Sequence, residues 1–300
     1  MAEAKGTVAS YGLREESKPS MNIAEQNIDL RDVIFENKED EIYLAALVSE
    51  EAGLVAGTDL LKKRGEAVGV KYLSLLKEGA RVGPETVIAK FTGRPKQIAV
   101  CEDILIGCIA KYSGVASAAE KMVRLSNKKT RLVCGAWKKM PGEIREFLRS
   151  AVAVGGLKTR IVDEPFIYLD KNYVRLFGGI KEALQAVSKI GDKRKVIQVR
   201  GETAAIAEEV LAAITGGAHV LMVDTGRLDD LRTAVTTLRR EGKRGLVKLA
   251  FAGGIGFAEM PALAGEDIDI LDIGRTVIDA LLLDIRLDVL GPSAGVKETN

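Results

Sequence analysis

HVLMVDTGRLDDLRTAVTTLRREGKRGLVKLAFAGG (His219–Gly254) holds the unit that decides the fold. HVLMVDTG is apolar without alternation, as a strand covered on both faces must be. LDDLRTAVTTLRREG reads as an amphipathic helix. GLVKLAFAGG is a second unbroken apolar strand, so the three pieces form a parallel pair with a helical crossover.

The same alternation runs outward in both directions. Upstream, the strands TRLVCGA, FIYLD and KVIQVRG are separated by the helices GEIREFLRSAVAVG, IKEALQAVSKIG and ETAAIAEEVLAAITGG; downstream, ILDIGRT precedes a last helix. Six strands are readable. A full (β/α)8 barrel takes ~250 residues, and a doubly wound sheet would carry a glycine fingerprint after its first strand, which is missing. The expectation is an incomplete α/β (TIM-like) barrel over residues 114–290. Before it, residues 26–113 show shorter strand-like pieces, a helix near 57–68, and ARVGPETVIAKFTG, which reads as a hairpin turning at Gly-Pro. That texture predicts an N-terminal α+β sandwich, joined to the barrel by an apolar helix from Glu102 to about Gly114. Residues 1–25 read as a polar, flexible leader and 291–300 as a tail.

Composition narrows the chemistry. The 300 residues are 47% hydrophobic and 29% charged, with 44 basic against 42 acidic side chains for a net charge of +2. No field of one sign argues for nucleic acid or a membrane surface, and the basic clusters WKKM, GDKRK and RREGKR read first as solvated faces. No apolar run is long enough to cross a bilayer, and the start lacks a secretory h-region. Cys101, Cys108 and Cys134 are odd in number and lack CxxC spacing, which suits reduced, buried thiols in a cytoplasm. His219 is the single histidine and opens a strand, where a core or capping role is expected. Chemistry therefore falls to Lys, Arg, Asp, Glu, backbone N–H or a bound cation.

In barrels, ligands sit at the carboxyl ends of strands. Those ends read GAWKKMPGE, LDKNY, VRGE, VDTGR, AFAGGIG and DIGRT, with GGLKTR (Gly155–Arg160) added from the first helix. They supply Lys138, Lys139, Lys171, Arg200, Arg227 and Arg275 against Asp170, Glu202, Asp224 and Asp272. The last two strands both stop on glycine, at Gly253-Gly254 and at Gly274. Glycine is common in turns, but it also lets backbone N–H groups close on an anion, and the last two strands are the habitual phosphate position of a barrel. A phosphate-bearing ligand is the expectation.

The ordered series LVSEEAGLVAGTDLL, LLKEGARVGPETVIAKFTG, CEDILIGCIAKYSGVAS, WKKMPGEIR, AVGGLKTR, LMVDTG, AFAGGIG and DIGRT resembles the nicotinate/quinolinate phosphoribosyltransferase family over about Asp29–Leu290. The resemblance implies a magnesium-dependent transfer of ribose 5-phosphate from PRPP to the ring nitrogen of a pyridine carboxylate, a step of NAD biosynthesis. It also implies a homodimer or higher homo-oligomer in which one sandwich closes the partner's barrel mouth. By the same resemblance, Ala252, Gly253, Gly254, Gly274 and Arg275 would hold the 5-phosphate. Lys138 and Lys139 would meet the pyrophosphate, and Asp224 the ribose or the metal. Trp137, Lys158, Arg160 and Lys171 would line the acceptor. The plainer readings are surface lysines at 138 and 139, a helix N-cap at Asp224 and a core tryptophan at 137.

The chain also departs from the family. Asp103 stands where the quinolinate branch has a carboxylate-gripping arginine, and Trp137 replaces a second arginine. Arg200 and Ala250 stand where acids near ribose and metal are expected, and Met140 where the nicotinate branch has its ATP-linked histidine. A reversed charge at a carboxylate clamp costs several kcal/mol for a dianion, so the expected acceptor is less anionic than quinolinate. The alternative is a non-catalytic relative that binds a phosphate-bearing ligand.

Overall fold

The computed structural model describes residues 29–127 and 129–293; the leader and residues 294–300 of the tail lie outside them. The first half runs α1 (Leu30–Ile34), β1 (Tyr43–Ser49), β2 (Gly53–Leu54), α2 (Thr58–Val68), β3 (Lys71–Leu75), β4 (Arg81–Val82), β5 (Thr86–Gly93) and α3 (Pro95–Leu125). The second runs β6 (Arg131–Val133), α4 (Gly142–Val154), β7 (Phe166–Leu169), α5 (Lys171–Phe177), α6 (Ile180–Ala186), β8 (Arg194–Val199), α7 (Ile206–Thr215), β9 (Val220–Asp224) and α8 (Leu228–Arg240). β10 (Lys248–Ala252), α9 (Met260–Leu263), β11 (Ile270–Asp272), α10 (Arg275–Ile278) and β12 (Ile285–Pro292) complete it.

The N-terminal sheet has the order β12-β1-β5-β3 and is antiparallel throughout. Two features differ from expectation. β4 pairs with β2, not with β5: the Gly83–Glu85 turn is tied to the end of β1 by a Glu85 N–H on the Ser49 carbonyl (2.8 Å), which sends β5 into the slot between β1 and β3 instead of back along β4. The last strand of the chain, β12, returns to this sheet and pairs with β1.

α3 is longer than the sequence suggested, spanning 31 residues with Pro95 in its first turn, where a missing N–H costs nothing. Its first half buries Ile98, Cys101, Leu105 and Ile109 in the sandwich core; its second buries Val115, Ala116, Ala119 and Met122 in the barrel's outer core. Each fully buried aliphatic side chain stabilises by ~1.5–3 kcal/mol, so one helix welds both cores. All three cysteines are free and buried. Burial pushes the thiols up, to about 11 at Cys101 and about 12 at Cys134, which leaves them inert.

The six parallel strands lie in the order β6-β11-β10-β9-β8-β7. Pairing of the first strand with the last curls the sheet into a barrel. GGLKTR does more than end a helix: Lys158 forms a parallel bridge with Val133, its N–H on the Leu132 carbonyl at 3.0 Å and its carbonyl taking the Cys134 N–H at 2.9 Å. The ring stays open between this rudimentary stave and β7. Val133, Val196, Val220, Met222, Ala250 and Ile270 fill the interior, while alternate residues such as Leu132, Ile197, Leu221, Phe251 and Leu271 face the helices, the period-2 pattern a barrel needs.

Candidate active site

Above the apolar interior, the last inward position of several strands is polar. Tyr168 (β7), Gln198 (β8), Asp224 (β9) and Asp272 (β11) form a layer at the carboxyl end. Gln198 Nε2 donates to the Tyr168 hydroxyl (3.1 Å) and to Asp224 Oδ2 (2.8 Å), while its Oε1 accepts the Lys171 N–H (2.6 Å). The register pairs Val199 with Val223, so the next residues, Arg200 and Asp224, stand side by side: Arg200 Nη1 lies 2.8 Å from Asp224 Oδ2 and also donates to the Asp224 carbonyl. Arg200 Nε reaches Glu202 Oε1 at 2.8 Å, and Arg175 Nε holds the other Glu202 oxygen at 2.8 Å. Asp272 Oδ1 accepts the Gly135 N–H at 2.9 Å.

The carboxylates of this layer are costly to ionise. Burial raises Asp224 above the ordinary aspartate value, against the pull of Arg200, Lys171 and Lys139. Burial also raises Asp272, to about 6, with the Gly135 N–H opposing and the charge of Asp224 adding to the rise. Perturbed carboxylates at the carboxyl ends of parallel strands mark a candidate site.

The glycine ends of β10 and β11 form the opposite side of the rim. Gly253 has φ +115° and Gly226 φ +69°, and a Cβ on Gly253 would lie 2.3 Å from the Gly226 nitrogen. Glycine is thus required there first by two loop backbones in contact; Gly226 N–H donates to the Ala252 carbonyl at 2.9 Å. Gly254 differs: it has φ +72° with open space around it. Thr276 Oγ1 holds the Ile255 carbonyl at 2.8 Å, tying this loop to the start of α10. Among the described residues, none of the N–H groups of Gly253, Gly254, Ile255, Gly274, Arg275 and Thr276 donates to a protein acceptor. Six N–H groups without protein acceptors, beside the exposed Arg275, suit an anion.

The expected site residues divide. Asp224, Lys139 and Lys171 come together around β9, close enough for both lysines to act on the aspartate. Asp224 is not a helix cap, since α8 is capped at Arg227. Lys138 pairs with Asp170, whose carboxylate also caps α5 through the Asn172 N–H at 3.0 Å. Trp137 is half-buried against the outer core, with Arg149 over its ring at 5.2 Å and its indole N–H on the Thr159 carbonyl at 3.4 Å. Arg160 turns to the start of β7, over Phe166 at 5.2 Å, and so is not brought to the mouth. Lys158 is exposed on its stave.

Magnesium fits this donor set poorly. Among the described residues no three His, Cys, Asp or Glu side chains gather to hold an ion. Asp224 already shares its charge with Arg200, and Glu202 has both oxygens bound to arginines. At an effective dielectric of 20, an ion about 4 Å from that guanidinium is repelled by ~4 kcal/mol per unit charge, twice that when divalent.

Sequence reasoning missed Tyr168, Gln198 and Glu209. The first two were readable as the polar residues at inward positions of FIYLD and VIQVR. Glu209 carried no signal, being one acid among several in its helix.

Comparison with known proteins converges on one family. The family models described as quinolinate phosphoribosyl transferase, N-terminal domain and C-terminal domain, match residues 30–113 and 115–288. A probable carboxylating nicotinate-nucleotide pyrophosphorylase of Archaeoglobus fulgidus is 26% identical, covering 82% of this chain and 94% of the relative. The human carboxylating nicotinate-nucleotide pyrophosphorylase is also 26% identical, covering 81% of each. The solved nicotinate-nucleotide pyrophosphorylase from Francisella tularensis superposes with a TM-score of 0.73 at 23% identity, covering 86% of this chain and 90% of that one; this likeness shows the shared fold.

Proposed function

The chain belongs to the quinolinate phosphoribosyltransferase family, and from that premise we propose that it transfers ribose 5-phosphate from PRPP to the ring nitrogen of a pyridine carboxylate, releasing pyrophosphate. The observation that carries this reading is the set of six unpaired N–H groups at the ends of β10 and β11. Ala252–Gly254, Gly274 and Arg275 bind the 5-phosphate. Lys138 and Lys139 receive the pyrophosphate across the mouth, Lys138 being held in place by Asp170. Asp224 orients the ribose hydroxyls. Breaking the glycosidic bond of PRPP builds positive charge on the ribose and negative charge on the leaving group, so the protein's task is placement and charge matching rather than nucleophilic attack. That task needs no histidine. The residues around Asp224 do not fit a protein-held magnesium ion, since Asp224 is bonded to Arg200 and both Glu202 oxygens to arginines.

The acceptor is proposed to enter beside Lys171 and Lys158; Trp137, packed on the outer core with Arg149 over its ring, backs the loop that carries Lys138 and Lys139. Asp103 stands where the family resemblance places an arginine, and it is paired with Arg31, so a dianionic acceptor is disfavoured. Assembly as a homodimer follows the same reading. The exposed Leu30 and Ile34 of the sandwich, and Leu176 near the rim at 83% exposure, are apolar surface that a partner would cover; sedimentation at micromolar protein tests it.

The experiment is pyrophosphate release from PRPP with a panel of pyridine mono- and dicarboxylates. Release with a monocarboxylate exceeding that with quinolinate is expected. PRPP binding with no release for any acceptor would replace the transferase with a phosphate-ligand binder.

A further inference from the structure

The loop after β8 is braced more heavily than any other part of the rim. Glu209, 2% exposed in the first turns of α7, gathers four consecutive amides: those of Arg200 (2.8 Å), Gly201 (2.8 Å), Glu202 (3.1 Å) and Thr203 (3.0 Å). The Thr203 hydroxyl adds a fifth donor at 2.8 Å. Burial alone would raise this carboxyl, yet the amides of Thr203, Gly201 and Arg200 hold it below the usual glutamate value. An ionised carboxylate so fully bonded fixes the path of the loop.

What this ledge carries is Arg200. Its guanidinium is fixed on two edges, by Asp224 through Nη1 and by Glu202 through Nε at 2.8 Å, and Glu202 is itself clamped by Arg175. The side chain is 29% exposed. Of the five N–H donors of a guanidinium, the two on Nη2 have no protein acceptor among the described residues. A rigid planar cation with a spare amino group, Nη2, seated on the inward aspartate of the mouth, offers phosphate oxygens two charge-assisted donors. A divalent ion drawn to Asp224 would perform the same service, but would have to displace or tolerate the guanidinium.

We propose that Arg200 takes the place of a protein-held divalent cation at Asp224, so that this chain binds the diphosphate of PRPP against a built-in positive charge and needs no divalent metal to do so. The inference rests on the PRPP reading above. A fixed guanidinium is charged at every working pH and is already in position. Binding therefore does not wait on metal and does not respond to a chelator.

The test is PRPP titration of the full chain, followed by thermal unfolding and calorimetry, in EDTA and again with magnesium. Wild type is expected to give half-saturation within about twofold in the two conditions, and Arg200→Ala to bind ~30-fold more weakly or worse in EDTA. Arg200→Glu is expected to bind PRPP only when magnesium is present. Should Arg200→Ala unfold, as its melting without ligand would reveal, Arg200→Gln removes the charge while keeping reach and carries the same expectation. Wild type that binds PRPP only with magnesium overturns the proposal. So does wild-type-like binding by the uncharged variants in EDTA. Absence of PRPP binding under both conditions would instead overturn the functional reading on which the proposal stands.

Discussion

At the amino end of the barrel, Arg244 lies 2.7 Å from Asp267 and 2.8 Å from Asp269, Arg131 bonds Asp163, Arg194 pairs with Glu164, and His219 Nδ1 accepts the Lys195 N–H at 3.0 Å. At the carboxyl end the same strands leave six amides without protein acceptors, Arg275 77% exposed, and two aspartates raised by burial. The floor pairs its arginines with carboxylates, leaving only Arg131 Nε and Arg244 Nε as buried side-chain donors without a partner among the described residues. The rim leaves donors open in one half, and in the other sets a guanidinium where a solvent ion could have sat. The two ends thus differ in what is left over: at the floor the arginines face carboxylates, while at the rim a run of backbone N–H groups faces no protein acceptor.

The largest expected break in this contrast is at Gly253. A Cβ there meets the Gly226 backbone at 2.3 Å with φ +115°, so Gly253→Ala is expected to cost ~3–5 kcal/mol in urea unfolding and to abolish the PRPP-induced rise in melting temperature. On the floor, Arg244→Ala removes one partner from each of Asp267 and Asp269, which keep Arg239 and the Leu249 N–H respectively, and is expected to cost ~2–3 kcal/mol; the PRPP-induced rise should survive intact, and its loss would show that the two ends are not separable.

Asp272 sharpens the comparison through pH. Burial lifts its folded value to about 6, above the ordinary aspartate value of about 3.9, so the folded state binds the extra proton between those values and stability falls as pH rises through that window. Asp272→Asn is therefore expected to stabilise the chain by ~2–3 kcal/mol at pH 8 and by almost nothing below pH 4, as read from urea unfolding at each pH. The smallest effect belongs to His219, whose ring accepts one backbone N–H at the floor. His219→Ala is expected to cost ~1 kcal/mol and to leave pyrophosphate release unchanged; a large loss of turnover would place catalysis on the wrong end.

Much of this was legible from sequence because parallel strands and their covering helices write their period into every stretch. The strands from β6 to β11 are local apolar runs with local turns. β12 was not legible, since its partner β1 lies at the other end of the chain and only tertiary pairing makes LDVLG a strand. The hairpin at Gly83 misled because a Gly-Pro turn specifies a reversal but not which strand accepts it. At the rim, the glycines signalled close approach, yet sequence could not separate Gly253, which is crowded by Gly226, from Gly254, which is open. The pairing of Arg200 with Asp224 depends on the β8–β9 register, which no single stretch contains. Arg160 read as a rim cation because GGLKTR ends the first helix and the family resemblance placed it at the acceptor, but the chain descends there to begin β7 and carries it away.

The central claim is that the open amides ending β10 and β11 hold a phosphoryl group. A crystal grown with ribose 5-phosphate tests it directly. Phosphate oxygens within hydrogen-bonding distance of the Gly254, Ile255 and Arg275 nitrogens are the predicted result; phosphate bound elsewhere, with those amides turned inward onto protein carbonyls, would contradict it.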